Sequence, residues 1–102
     1  MSHTPGPWAP DPQATFKIRA PDLDRAIAYL APTDCDANAK LIAAAPELLA
    51  ELKNLHRAYV NLLEAGRDRI VALGGDCYPV DRMEQDDPHL RAAKAAIAKA
   101  TA

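Results

Sequence analysis

Between residues 48 and 73 the apolar positions fall at steps of four and three. Leu48, Leu52, Leu55, Tyr59, Leu62, Gly66, Ile70 and Leu73 follow one another in near-heptad order, which is how one face of a long helix reads in sequence. Gly74 and Gly75 stop the pattern, because glycine takes the left-handed backbone that closes a helix C-terminus. Upstream, the block NAKLIAAAPELL carries the helical pattern back to residue 36. There, after the polar break Pro32, Thr33 and Asp34, either Asp36 or Asn38 would serve as N-cap. Pro46 has no amide hydrogen to give and crowds the turn before it. The spacing therefore predicts a helical segment over residues 36–74, kinked near Pro46 or restarted with that proline at its first position.

The same helix carries adjacent apolar pairs, Leu48 with Leu49, Leu62 with Leu63 and Ile70 with Val71. Neighbouring helix positions point about 100° apart, so the apolar surface is broader than a single seam. Leu55, Tyr59 and Leu62 are assigned to the stripe that packs inside the fold. Leu49 and Leu63 are assigned to its flank, open to a second chain.

Past Gly75 comes a connector, residues 76–87, with one helical turn through Val80 and Met83. Asp87 followed by Pro88 pairs an N-cap aspartate with proline at the first helical position, which opens a helix over residues 88–101. Its apolar file is Leu90, Ala93, Ile97 and Ala100. Alanines bury little area each, so this helix should lie close against the long one as an antiparallel hairpin.

At the other end of the chain, Pro5, Pro7, Pro10 and Pro12 keep residues 1–13 an extended, non-helical arm with Trp8 at its middle. Phe16 and Ile18 then alternate with Lys17 and Arg19, the period of a half-buried strand. Residues 22–31 read two ways. Pro21, Asp22 and Asp24 would turn the chain so that Ile27 and Tyr29 close a hairpin over residues 14–31. Leu23, Ile27 and Leu30 also stand at helical spacing behind a capping Asp22. The hairpin is the reading adopted, and it gives a single α+β domain, mainly helical, with a short N-terminal hairpin laid on a long helix and an antiparallel C-terminal helix.

With 102 residues, 12 basic and 14 acidic side chains and only 5 % aromatic residues, the chain is a helix-packed module of ordinary charge. A net charge of −2 is poorly suited to general binding of nucleic acid, whose affinity rests on neutralising several phosphates. Cys35 and Cys77 read as reduced thiols of a cytoplasmic protein, since a small secreted domain held by disulfides carries more cysteines. No stretch approaches the ~18–20 apolar residues of a membrane span.

The opening HTPGPW and the block NAKLIAAAPELL resemble a group of small, uncharacterised phage and prophage proteins. These pair such a start with a short hairpin and an N-A-x-L-I-A-A-A-P-x-L-L helix. The segment LLEAGRDRIVALGGDCYPVDRMEQDDPHLRAAKAAIA is similar to a recurring phage helical segment. In the group the hairpin usually turns on Asp-Gly, whereas PDLDR here carries no glycine. The resemblance implies a phage setting, and hence the cytoplasm of a bacterial host, without implying a mechanism.

Candidate chemistry is sparse. His3, His56, His89, Cys35 and Cys77 show none of the short spacings that let side chains grip one metal ion. Cys77 follows a helix C-terminus, whose partial negative charge blunts a thiolate. The acids of residues 76–87 read as a solvated loop. Gly74–Gly75 follows a helix where a phosphate-cradling loop would precede one. The expectation is therefore a non-enzyme without cofactor, a phage accessory protein that binds a host or phage protein. One such use is inhibition of a host defence or regulatory factor. Trp8, Leu49, Leu63, Arg57 and Arg67 are its contact candidates, and a homodimer is expected through the broad apolar face. The alternative is a nucleic-acid-associated protein using Lys53, Arg57, Arg67 and Arg69 of the long helix with Arg91, Lys94 and Lys99 of the last.

Overall fold

A computed structural model describes residues 3–20, 23, 25–31 and 34–101. Its elements are β1 (Ala9–Asp11), β2 (Ala14–Arg19), β3 (Ala28–Tyr29), α1 (Cys35–Ala72), α2 (Val80–Asp86) and α3 (Pro88–Thr101). The fold is mainly helical α+β, with the short antiparallel sheet at the N-terminal end packed on the long helix. Two compact units divide the chain, residues 1–50 and residues 51–102, and α1 contributes its first part to one and its second part to the other.

In the first unit the sheet has the order β1-β2-β3. β2 pairs with β3 through Lys17 opposite Tyr29 and Ile18 opposite Ala28, so the hairpin reading of this region holds. The turn assigned to Pro21, Asp22 and Asp24 lies outside the described residues. The arm, expected to be extended and non-helical, supplies a third strand: Ala9 stands opposite Arg19, Pro10 opposite Ile18 and Asp11 opposite Ala14, with an irregularity after Pro10. As an edge strand β1 tolerates Pro10, which has no ladder bond to give on its open side. The chain reverses at Pro12 and Gln13, where the Gln13 amide donates to Asp11 Oδ1 at 2.9 Å. Arg19 also reaches Asp11 Oδ2 at 3.3 Å, and the Gln13 bond first and Arg19 second hold the Asp11 carboxyl below its usual range. Among the described residues of this unit Ile18, Ala20 and Ala39 are the enclosed side chains. Phe16, expected on the same half-buried strand, is 44 % exposed beside Lys17.

The arm also reaches α1. A Cβ on Gly6 would lie 2.9 Å from Cβ of Pro46, so the glycine of HTPGPW and the proline of LIAAAPELL are in contact. Pro46 sits inside one continuous helix, Cys35–Ala72, in place of two helices. Its helix opens earlier than expected: the Asp34 carbonyl accepts from the Asn38 amide at 3.0 Å, which places Asp36 and Asn38 inside the first turn.

In the second unit α1 ends as its glycines require. Gly74 has φ +86°, its amide donates to the Val71 carbonyl at 3.0 Å and that of Gly75 to the Ile70 carbonyl at 2.9 Å. These are the two bonds of a Schellman motif. The connector is more helical than the single turn expected, because α2 covers Val80–Asp86. Glu64, Arg67 and Asp68 neighbour residues 79–81, Leu63 neighbours Met83 and residues 86–89, and Lys53, Arg57 and Val60 neighbour Lys94 and Ile97. The order falls along α1 as it rises along α2 and α3, so the C-terminal helices return antiparallel to α1.

Candidate functional site

The second half of α1 turns Leu52, His56, Val60, Leu63 and Arg67 toward the returning helices, each half-buried. Their steps of four, four, three and four keep them on one helical face. This reverses the assignment made from the apolar pattern. Leu55 and Leu62, placed on the packing stripe, are 67 % and 68 % exposed, and of that stripe Tyr59 keeps a contact with the start of α3, whereas Leu63, placed on the open flank, faces α2 and the start of α3. Leu49, in the first unit, is likewise half-buried. The covered face includes a histidine and an arginine, and a reading that follows apolar residues alone passes over it.

Between this face and α3 lies an apolar cleft of about 330 Å³, lined by Leu52, Leu55, His56, Tyr59, Asp87, His89, Leu90 and Ala93. Leu90 lines it and is the buried apolar side chain among the described residues of this unit. The rim is built on Asp87. Its Oδ1 accepts the amides of His89 at 2.9 Å and Leu90 at 3.1 Å, which caps α3 as the Asp-Pro pair foretells. Its own amide closes α2 on the Met83 carbonyl at 3.1 Å, and its carbonyl accepts the Arg91 amide at 3.0 Å. Oδ2 takes the Tyr59 hydroxyl at 3.2 Å. The Leu90 amide first, with the His89 amide and the Tyr59 hydroxyl adding to it, holds the Asp87 carboxyl below its usual range. The hydrogen bond to that carboxylate, followed by its negative charge, raises Tyr59.

His56 borders the cleft, and its Nε2 has no hydrogen-bond partner among the described residues; Arg67 Nε is likewise unpaired, although both atoms are buried. A buried polar atom without a partner costs free energy, so these two mark where the covered face is least complete. Among the described residues no group of His, Cys, Asp or Glu could hold a metal ion, and both cysteines are free thiols. No described helix is long and apolar enough to cross a membrane.

Of the residues singled out from sequence, Trp8 and Leu49 belong to the first unit and Arg57, Leu63 and Arg67 to the second. Trp8 is half-buried in the arm, where its indole N–H donates to the Thr4 carbonyl at 3.1 Å and the His3 ring stands edge-on to it. Arg57 is exposed beside a shallow hollow shared by Lys53, Glu84 and Lys94, and Lys94 there is paired with Glu84 at 3.6 Å. Arg67 is half-buried near Val80 and Asp81. The convergence of Tyr59 with Asp87, 28 positions apart, has no local signal in the sequence.

The model of the family described as Salmonella phage P22 protein Y8K6 matches residues 1–102. The chain belongs to this family. The match spans the HTPGPW start, the LIAAAPELL block and both helices of the cleft, so the contact of Gly6 with Pro46 and the cap on Asp87 both lie within the family's extent. Neither a curated protein nor a solved structure is matched by the chain.

Proposed function

We propose that this member of the phage P22 Y8K6 family is an accessory protein that acts by binding another protein, host or phage, at the apolar cleft of its second unit. The observation that carries the reading is how little this unit encloses. Among its described residues Leu90 is the buried apolar side chain, while Leu55, Tyr59, Leu62, Ile70 and Leu73 are exposed. An apolar surface of this kind marks an interaction site more often than a free face. The cleft offers aliphatic walls with a few polar groups at the rim, which suits an inserted apolar side chain of a partner. Inhibition of a host defence or regulatory factor is one use of such a contact in a phage protein.

The test is site-specific photo-crosslinking of the full chain in infected cells, with the reactive group at Ala93 in the cleft and, as control, at Lys99. A discrete protein adduct from position 93 that is lost with His89→Trp, which fills the cleft from its exposed side, supports the reading. Adducts that are equal at both positions, or absent, overturn it. An adduct made of nucleic acid, weakened steeply by salt, would favour the basic positions instead.

A further inference from the structure

Glu51, Leu55, Ala58, Leu62, Ala65 and Arg69 form a file along α1 beside its covered face, all exposed, with Leu55 at the edge where the file meets the cleft. They step by four, three, four, three and four, the spacing of the a and d positions of a coiled coil, over a length of about 27 Å. From N- to C-terminus the file reads acid, large, small, large, small, base. Turned end for end, that order is its own complement. Two copies laid antiparallel about a twofold at the level of residue 60 set Leu55 opposite Ala65, Ala58 opposite Leu62 and Glu51 opposite Arg69, each pairing made twice by symmetry.

Every apolar layer of that arrangement matches one leucine with one alanine, so the helices approach closely without a void or an overfilled layer. Both ends close on an ion pair. Neither Glu51 nor Arg69 has an ion-pair partner among the described residues, so both charges are available. A parallel pair in register would instead oppose Glu51 to Glu51 and Arg69 to Arg69, and would stack leucine on leucine and alanine on alanine. A foreign partner would require no such reversal symmetry in this chain's own file. We propose that the second half of α1 pairs with a second copy of this chain as an antiparallel homodimer in this register. The proposal rests on the protein-binding reading only in taking the exposed apolar surface as an interface, and of its file Leu55 alone also lines the cleft of Leu52 and His56.

The full chain should sediment as two chains at micromolar concentration and dissociate on dilution. Glu51→Arg and Arg69→Glu should each weaken association about tenfold, since each breaks two symmetric ion pairs and replaces them with repulsion. The double variant E51R/R69E should recover most of the loss, with helicity by circular dichroism unchanged throughout. Register is read by cross-linking with a short bis-maleimide after Cys35→Ser and Cys77→Ser. Asn61→Cys, beside the axis, should couple to its own copy. Asn54→Cys should not, because antiparallel pairing separates the two copies of residue 54 by about 18 Å along the helices. A chain that stays monomeric, a double variant no better than the singles, or coupling at 54 as ready as at 61 overturns the proposal. A monomer that still forms the Ala93 adduct removes the dimer and leaves the binding reading standing. A dimer with no Ala93 adduct does the reverse.

Discussion

Asp87 shows how much one side chain organises: it closes α2, caps α3 and receives the Tyr59 hydroxyl. Its carboxyl is held below its ordinary value in the folded chain, so its contribution is complete above the unfolded value of about 4 and is lost as pH falls through the lowered folded value. Tyr59 is raised, so its share is present below about pH 10 and lost as pH rises through the folded value. Asp87→Ala should lower the melting temperature near neutral pH and flatten the fall in stability on acidification, as thermal melts between pH 2 and 7 would show. Asp87→Asn, which keeps an accepting oxygen, should cost less at pH 7. Unchanged acid sensitivity in Asp87→Ala would mean that other carboxylates govern it. At the same scale, Gly6→Ala places a methyl group 2.9 Å from the Pro46 ring carbon, closer than two carbons in van der Waals contact. The arm should be displaced, seen as a red shift and easier quenching of Trp8 fluorescence; an unaltered spectrum would show that the arm absorbs the methyl group.

The glycines of α1 set opposite expectations for the element. Gly66 lies inside the helix with nothing within 4 Å of an added Cβ, so Gly66→Ala should stabilise by about 0.5–1 kcal/mol. Gly74 lies at φ +86°, and Gly74→Ala should destabilise by about 1–2 kcal/mol. Denaturant unfolding of both variants measures the pair, and equal signs would contradict the helix end described above. Elements were the most legible part of the sequence. Asp87–Pro88 and Gly74–Gly75 carry their own backbone geometry, so a start and a stop could be read directly. β1 was hidden because prolines mark an arm as extended without showing what it pairs with, although Asp11-Pro12 already held the chemistry of a tight turn. The face of α1 was misread for another reason. Leucines spaced by seven show that a stripe exists, not whether it is the covered one, and the covered stripe here includes His56 and Arg67. The cleft was not legible, since it forms only when α3 returns along α1 and brings Asp87 to Tyr59.

At the scale of the molecule, the two faces of α1 should separate stability from association. Leu63 is half-buried against the returning helices, so Leu63→Asp places a charge where none is solvated cheaply. It should unfold the second unit, with loss of helicity by circular dichroism. Leu62 is 68 % exposed, so Leu62→Asp should leave the melting temperature of the monomer within a few degrees and abolish the dimer by light scattering. A Leu62→Asp chain that melts like Leu63→Asp would place Leu62 in the fold's own packing. The phage setting and the mainly helical architecture were both legible, the first from HTPGPW and NAKLIAAAPELL and the second from periodicity.

Those two strings have a further bearing on how the family can drift. Forty positions separate Gly6 from Pro46, yet the gap between them is already narrower than a methyl group needs. Neither position can then mutate as though the other were absent. A lineage that keeps the proline is confined to glycine at position 6, and one that exchanges the ring for alanine gains the space to enlarge its neighbour. Co-substitution at 6 and 46 is therefore the trace this contact should leave among descendants, with a bulky residue at the first position only where a small one has come to occupy the second.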